Sequence, residues 1–197
     1  MKSLLLLSFL IFTGCSVTHA PIAEYRIAPE VKVAQHSAKS CKDKSLKVGQ
    51  VFSASSLMSK KMKYAQDDYK EFSFSESEWA ISPNKAITKA IVKSVRSSNI
   101  FSNVTSFKSR SDSDMILETS VEDFMQYFTK ENKKSYVNVV MSMTLIDAKS
   151  SKSVATKTFT KRVDVKSINA YGGVDALNSA FGTILQEQNL WLESSCK

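Results

Sequence analysis

The sequence contains few of the residues from which active sites and cofactor sites are usually built. Its 197 residues include two histidines, three cysteines and five glycines. His19 and His36 lie near the start of the chain, so a Ser-His-Asp or Cys-His site would require that segment to fold over the rest. The absence of HExxH and CxxC motifs excludes those zinc and redox sites. The glycines form neither a GxGxxG nor a P-loop pattern, which excludes the usual phosphate-binding loops.

Acidic pairs occur at Asp67-Asp68 and Glu122-Asp123. The second pair lies in a predicted strand, where adjacent side chains face opposite sides of the sheet. Such a pair is poorly placed to act as an acid/base couple. We therefore expect a protein that is not an enzyme and that uses no metal and no dissociable cofactor.

Long apolar runs are also missing after residue 12. A membrane-spanning helix needs about 20 apolar residues. The chain instead opens with Lys2 and the nine-residue run "LLLLSFLIF" at residues 4–12. This run has the length of the apolar region of a secretory signal peptide and follows a basic residue, as such regions do. It has no helical periodicity and no polar face, which argues against a buried amphipathic helix.

The run ends in "FTGCS", where Cys15 follows the small residues Thr13 and Gly14. This pattern resembles a bacterial lipobox, in which the chain is cleaved before the cysteine and the thiol carries a covalent lipid. Phe12 stands where leucine is usual, and an ordinary secretory signal beside an unmodified cysteine is the alternative. Ser16 in place of aspartate resembles an outer-membrane sorting signal. We predict a signal peptide at residues 1–14 and lipidation of Cys15.

Export would place the other two cysteines in an oxidising compartment. Cys41 precedes the first predicted strand of the domain, and Cys196 follows the last predicted helix. A Cys41–Cys196 disulfide would tie the two ends of the domain together and stabilise it by about 4–5 kcal/mol on the chain-entropy model. Two separate thiols are the alternative.

The charge balance is basic, with a formal net charge of +8. Removal of residues 1–14 takes away Lys2 alone among the charged residues and leaves +7. The positive charges are spread along the chain without an aromatic-interleaved cluster, so we expect no nucleic-acid binding. The simple interpretation is that the basic side chains are only solvated. The more specific one is that they bind an anionic membrane surface or an acidic protein partner.

The mature chain divides into a lipidated tether at residues 15–44 and one domain at residues 45–197. The tether holds Pro21 and Pro29, and residues 25–29 form a short extended piece. In the domain, Ser82-Pro83 is a strong helix start, because the serine side chain can cap a helix and proline suits its first position. Apolar residues every four positions predict an amphipathic helix at about 83–98 that ends at Asn99. Its apolar face should pack on a sheet, and a separate basic stripe should face solvent, formed by Lys85, Lys89, Lys93 and Arg96.

Predicted strands precede and follow this helix in the sequence. Residues 46–51 and 101–105 read as short strands, and the aromatic-rich residues 53–77 as short strands or a hairpin. Alternation over 115–128, 137–145 and 154–165, with short polar links, predicts an antiparallel meander. Gly172-Gly173 is read as a break before a long amphipathic helix that runs to about residue 193. The predicted fold is α+β, a two-layer sandwich with two helices on one face of an antiparallel sheet.

Five aromatic residues separated by polar ones are candidates for contact with a partner or a lipid chain, since exposed aromatics favour interfaces. They are Tyr64, Tyr69, Phe72, Phe74 and Trp79. Core packing is the alternative for all of them, and it is the favoured interpretation for Trp79 at the start of the helix.

The order of these aromatics resembles the auxiliary lipoproteins of ABC-type transport systems, the PqiC/YmbA group. The motifs that carry the resemblance are Tyr64, Tyr69, Phe72, Trp79, Pro83, Phe101 and Val104, the early Tyr25, Ile27 and Pro29, the stretch 114–118, Asp123-Phe124 and Trp191-Leu192. They extend over nearly the whole mature chain. Ile27 stands where the family usually has leucine.

The resemblance implies a lipid-anchored accessory subunit at the outer membrane that faces the periplasm. Its partners would be an MCE-domain protein and the permease and ATPase of the same system, and its cargo a phospholipid or a similar hydrophobic molecule. A homo-oligomer is left open. Two alternatives are a lipopolysaccharide-assembly lipoprotein of the LptE kind and a structural lipoprotein of an envelope complex.

Overall fold

The structure is a computed structural model that describes residues 21–31, 41–67 and 69–195. Its strands are β1 (Ala23–Tyr25), β2 (Ser45–Val48), β3 (Phe52–Ser53), β4 (Lys61–Gln66), β5 (Lys70–Trp79), β6 (Asn103–Ser106), β7 (Met115–Phe128), β8 (Ser135–Asp147) and β9 (Lys152–Asp164). The helices are α1 (Pro83–Ser98) and α2 (Ala170–Ser195), and a 3₁₀ turn spans Ser55–Met58. The α+β class predicted from the sequence is confirmed.

The nine strands of the described residues form one mixed sheet. Strands β7, β8 and β9 make the predicted antiparallel meander, and β4 and β5 make an antiparallel hairpin. The prediction of an antiparallel sheet is wrong for the rest, because β2, β3 and β4 all pair with β7 in parallel. β1 is parallel to β5, and β6 to β2. Helix α1 connects β5 to β6, and β6 then pairs in parallel with β2.

Helix α1 matches its prediction closely. Pro83 occupies the first turn, and Asn99 ends the helix with a left-handed φ of 55°. The predicted side-chain cap by Ser82 is not formed. The carbonyl oxygen of Ser82 instead accepts hydrogen bonds from the backbone N–H groups of Lys85 and Ala86, each at 3.1 Å.

The predicted chain break at Gly172-Gly173 is wrong, because both residues lie in the first turn of α2. A Cβ atom on Gly172 would lie 2.0 Å from the carbonyl oxygen of Ser167, and one on Gly173 would lie 1.9 Å from Oε1 of Gln126. These glycines therefore permit the close approach of the helix start to the preceding turn and to β7, rather than ending an element.

Residues 21–31 lie on the fold, although the tether was expected to extend to residue 44. Tyr25 pairs with Trp79 at the sheet edge. Further along, the side chain of Asn178 in α2 accepts a hydrogen bond from the Ala28 N–H at 2.8 Å and donates one to the Arg26 carbonyl at 3.3 Å. The extended piece predicted at residues 25–29 thus begins at the last residue of β1 and continues as a segment that is hydrogen-bonded to α2.

A single apolar cluster joins the buried face of the sheet to both helices. Alternate residues of β7 and β8 supply one side, including Leu117 and Met141, and α2 supplies Phe181 and Leu185. The two helices also contact each other. Neither helix among the described residues has the length and apolarity needed to cross a bilayer.

Replacement of Gly182 by alanine tests the packing of residues 26–31 on α2. A Cβ there would lie 2.6 Å from the carbonyl oxygen of Glu30. We expect Gly182→Ala to lower the free energy of unfolding by about 1–3 kcal/mol, the usual cost of overpacking, despite the better helix propensity of alanine. Urea denaturation measures this. Ser179→Ala, at an exposed position of the same helix, is the matched control. Equal or greater stability of Gly182→Ala would show that this contact is not tight.

Candidate functional site

Four aromatic rings from three strands meet at one end of the sheet. The ring of Tyr64 lies 5.5 Å from that of Phe72, 4.6 Å from that of Phe74 and 5.1 Å from that of Phe128, measured between centroids. Phe74 and Phe128 are 6.3 Å apart. We call these four residues the aromatic surface.

Strand register explains why these rings converge. Tyr64 is the direct partner of Phe72 across the β4–β5 hairpin, and Gln66 is paired with Phe128 of β7. Since side chains two residues apart share a face, Tyr64, Phe72, Phe74 and Phe128 all project from the same side of the sheet. Phe72 is 41% exposed and the other three are half-buried. The aromatic surface is therefore accessible to a partner, while its side chains remain packed against the rest of the domain.

The structure separates the other two predicted contact residues from this group. Tyr69 lies next to the turn between β4 and β5 and is 96% exposed. Trp79 is 3% exposed and packs against Phe124, with 6.2 Å between ring centroids. Phe124 in turn lies 6.1 Å from Phe181 of α2. Trp79 is thus a core residue, as its alternative interpretation held.

Phe128 was missed as a site residue. Its signal in the sequence is modest: it is the last apolar residue of the long β7 alternation, directly before the polar stretch at 129–134. Only the parallel pairing of β7 with β4 places it beside Tyr64, and parallel partners distant in sequence leave no local pattern.

The start of α2 is fixed beside the aromatic surface by buried Gln126, the strand partner of Tyr64. Its side-chain nitrogen donates to the Ser135 hydroxyl at 2.9 Å and to the Asn169 carbonyl at 3.4 Å. The aromatic surface therefore lies next to the N-terminal end of α2, beyond the part of the sheet that this helix covers. Tyr171, in the first turn of α2, is 65% exposed.

The expected opposite orientation of Glu122 and Asp123 is wrong, because a β-bulge interrupts β7 between Val121 and Asp123. A bulge adds one residue to one strand and so places successive side chains on the same face. Glu122 accepts a hydrogen bond from the Ser142 hydroxyl, and Asp123 accepts one from Asn138 Nδ2 at 2.8 Å. Both carboxylates thus point to the sheet face opposite the helices.

Asp123 is the centre of a small polar and aromatic group on that face. The Tyr127 hydroxyl donates to its Oδ2 at 2.8 Å. The Tyr127 ring stacks on Tyr136 at 5.1 Å, and the Arg162 guanidinium lies 3.4 Å from the Tyr136 ring centroid. Burial raises the pKa of Asp123, although the hydrogen bonds from Asn138 and Tyr127 oppose this. Burial and the bond to Asp123 raise the pKa of Tyr127. A cavity among the described residues lies elsewhere and has none of these side chains in its lining.

That cavity, of about 580 Å³, lies at the opposite end of β7. Its lining mixes acidic and basic side chains, among them Asp114, Asp147, Lys44 and Lys149. Hydrogen bonds from Ser45 lower the pKa of Asp114, and those from Ser150 lower that of Asp147. These carboxylates are engaged in holding loops. Within residues 21–31, 41–67 and 69–195, no group of three or more His, Cys, Asp or Glu residues is placed to hold a metal ion.

The predicted cysteine sites are only partly within the described residues. Cys15 and Cys196 lie outside them, as do His19 and His36. Cys41 is 1% exposed and belongs to the main apolar cluster.

Comparison with known proteins assigns most of the chain to one family. The family model of the ABC-type transport auxiliary lipoprotein component matches residues 25–187. Among solved structures, the chain is similar to a DUF330 protein from Xanthomonas campestris, with a TM-score of 0.77 and 17% identity over 88% of this chain and 96% of that chain. It is also similar to the crystal structure of an uncharacterized protein, with a TM-score of 0.67 and 13% identity over 88% of this chain and 99% of that one. At such identities the two structures show the fold alone. No curated protein matches the chain.

The group around Asp123 generates a titration prediction. We expect NMR to show a carboxyl pKa for Asp123 above 3.8, the usual value for aspartate, and a further rise in Tyr127→Phe, since that variant removes a donor to the carboxylate. A folded-state pKa above the unfolded one means that the stability contributed by Asp123 is present at low pH and lost as the pH rises from 3.8 through the raised pKa. Tyr136→Phe keeps the ring stack and both donors and is the control. A pKa that falls in Tyr127→Phe would contradict this account.

Proposed function

Because this chain belongs to the ABC-type transport auxiliary lipoprotein family, we propose that it serves an ABC transport system of the cell envelope as a non-catalytic subunit. Its described residues would bind a partner or ligand through the aromatic surface and would catalyse no reaction. The family supports an accessory role, and the aromatic surface is the observation that carries the proposed mode of action.

The aromatic surface suits contact with an apolar partner or ligand. Burial of a large apolar side chain such as Phe72 contributes about 1.5–3 kcal/mol. The β4–β5 hairpin and β7 also fix the positions of the four rings before any partner binds. Little side-chain entropy would then be lost on binding. Tyr69 extends the same hairpin toward solvent and would make contact at the rim.

We propose that the partner is an MCE-domain protein, working with the permease and ATPase of the same system. The cargo would be a phospholipid or another hydrophobic molecule, for which four clustered rings offer an apolar contact. We propose further that the chain is held at the outer membrane, facing the periplasm, by a covalent lipid on Cys15. Two or three acyl chains hold a protein firmly at a bilayer, whereas one does so only marginally.

Site-specific photo-crosslinking tests the role of the aromatic surface. A photoreactive phenylalanine analogue at Phe72 or Tyr69, in the native lipid-anchored protein, is expected to capture an MCE-domain protein or a phospholipid. The same analogue at Thr156, an exposed position of β9, should capture neither and is the matched control. Mass spectrometry identifies the captured species.

Other results would overturn the proposal in distinct ways. Capture of an outer-membrane β-barrel would favour the lipopolysaccharide-assembly alternative. Capture by the analogue at position 156 alone would show that the partner contacts β9 instead of the aromatic surface. If the native protein co-purifies with envelope proteins while all three positions capture nothing, the aromatic surface is packing and a structural envelope role takes precedence.

We also propose that Cys41 pairs with Cys196. The buried position of Cys41 supports this, because a disulfide sulfur tolerates burial, and because α2 extends to Ser195, one residue before Cys196. Peptide mapping of the exported protein without reduction should recover a Cys41–Cys196 peptide, and intact mass should show a lipid on Cys15. The Cys196→Ser variant is expected to lose about 2–5 kcal/mol of stability. Recovery of both cysteines as alkylated thiols would contradict the pairing.

A further inference from the structure

We infer that the exposed face of α1 is a docking surface for anionic phospholipid headgroups, independent of the aromatic surface and of the transport partner. The inference begins with an asymmetry of charge. Residues 79–111 contain no aspartate and no glutamate but six basic residues. These are Lys85, Lys89, Lys93, Arg96, Lys108 and Arg110. The segment thus carries +6 of the formal net charge of +8 of the chain.

The fold gathers four of these charges into one stripe. Lys85, Lys89, Lys93 and Arg96 fall within about 80° of the helix circumference at 3.6 residues per turn. All four are exposed, whereas the opposite face of α1 is buried in the core. The orientation of the stripe is therefore fixed by packing, and the charges cannot rotate away from solvent.

The last turn of α1 is tied to β6 beside this stripe. Arg96 donates from its guanidinium to the Val104 carbonyl at 2.8 Å. Strand β6 ends at Ser106, so residues 107–110, with Lys108 and Arg110, follow directly. The Nζ of Lys108 lies 5.9 Å from the Phe107 ring centroid. The basic charge thus continues past the helix.

Exposed apolar side chains flank the basic stripe at both ends. Ile81, two residues before α1, is 47% exposed, and Phe107, just after β6, is 40% exposed. Met58, at the end of the 3₁₀ turn that packs on α1, is 60% exposed. Basic side chains beside exposed apolar ones match a bilayer surface, where cations meet headgroups and apolar groups enter the acyl boundary. A partner surface that offered acidic groups alone would pair with the charges but would leave these apolar side chains without contacts.

Vesicle co-sedimentation tests the inference. The protein is the mature chain from residue 15 carrying Cys15→Ser, so that no acyl chain contributes to binding. We expect it to bind vesicles of phosphatidylglycerol and phosphatidylethanolamine at low salt, to leave them at high salt, and not to bind phosphatidylcholine vesicles. The triple variant Lys85→Gln/Lys89→Gln/Lys93→Gln should bind about 100-fold more weakly, from roughly fivefold per lysine. Glutamine and lysine have similar helix propensities, so α1 should remain folded, as circular dichroism checks.

The matched control removes the same charge elsewhere. Lys130→Gln/Lys149→Gln/Lys152→Gln replaces three exposed lysines outside the α1 segment and is expected to keep most of the binding. Equal weakening in both triple variants would reduce the effect to net charge and overturn the docking surface. Absence of binding by the parent chain to anionic vesicles, or unchanged binding of the α1 variant, would overturn it as well. In those cases an acidic protein or plain solvation would account for the stripe.

Discussion

The structure depends on strand β7 being paired along both of its edges. Its 14 residues meet β8 over their whole length on one side. On the other side they meet β2, β3 and β4 in succession, each short and each parallel to β7. None of these short strands is held by a hairpin with β7, so their positions are determined by the hydrogen bonds and buried side chains that β7 offers. The α2 helix then covers the buried alternate residues of β7, β8 and β9.

Local periodicity was sufficient to predict the parts of the fold whose partners are near in sequence. The meander follows from three alternating stretches joined by polar turns, and α1 from Ser82-Pro83, a four-residue apolar repeat and Asn99. Parallel pairing was not predictable in this way, because β2 and β7 are separated by more than sixty residues and each pattern fits either direction. The glycines at 172 and 173 were misread for a related reason. Their role is steric, toward Ser167 and Gln126, and only the tertiary structure shows those neighbours.

In the candidate site, too, contacts between residues near in sequence were predictable and contacts between distant residues were not. Tyr64, Phe72 and Phe74 were predicted, because they lie on one local hairpin and an aromatic-rich polar stretch is visible in the sequence. Phe128 joins them only through the parallel β4–β7 pairing. The orientation of Glu122 and Asp123 was misjudged because a bulge breaks the period of two, and no residue in the surrounding sequence marks it. The basic face of α1, by contrast, was evident in the sequence, and the structure adds the apolar side chains at its two ends.

The pairing of β1 with β5 would set how far the domain could move from the proposed lipid anchor. With Cys15 as the lipid-bearing residue, eight residues separate the bilayer from Ala23, which is hydrogen-bonded into the sheet. Eight residues span at most about 28 Å, whereas the thirty residues to Ser45 would span about 105 Å. With the proposed lipid on Cys15, the domain would therefore be confined to a thin layer next to its own membrane. Any component rooted in the opposite membrane would itself have to extend across the intervening space to meet it.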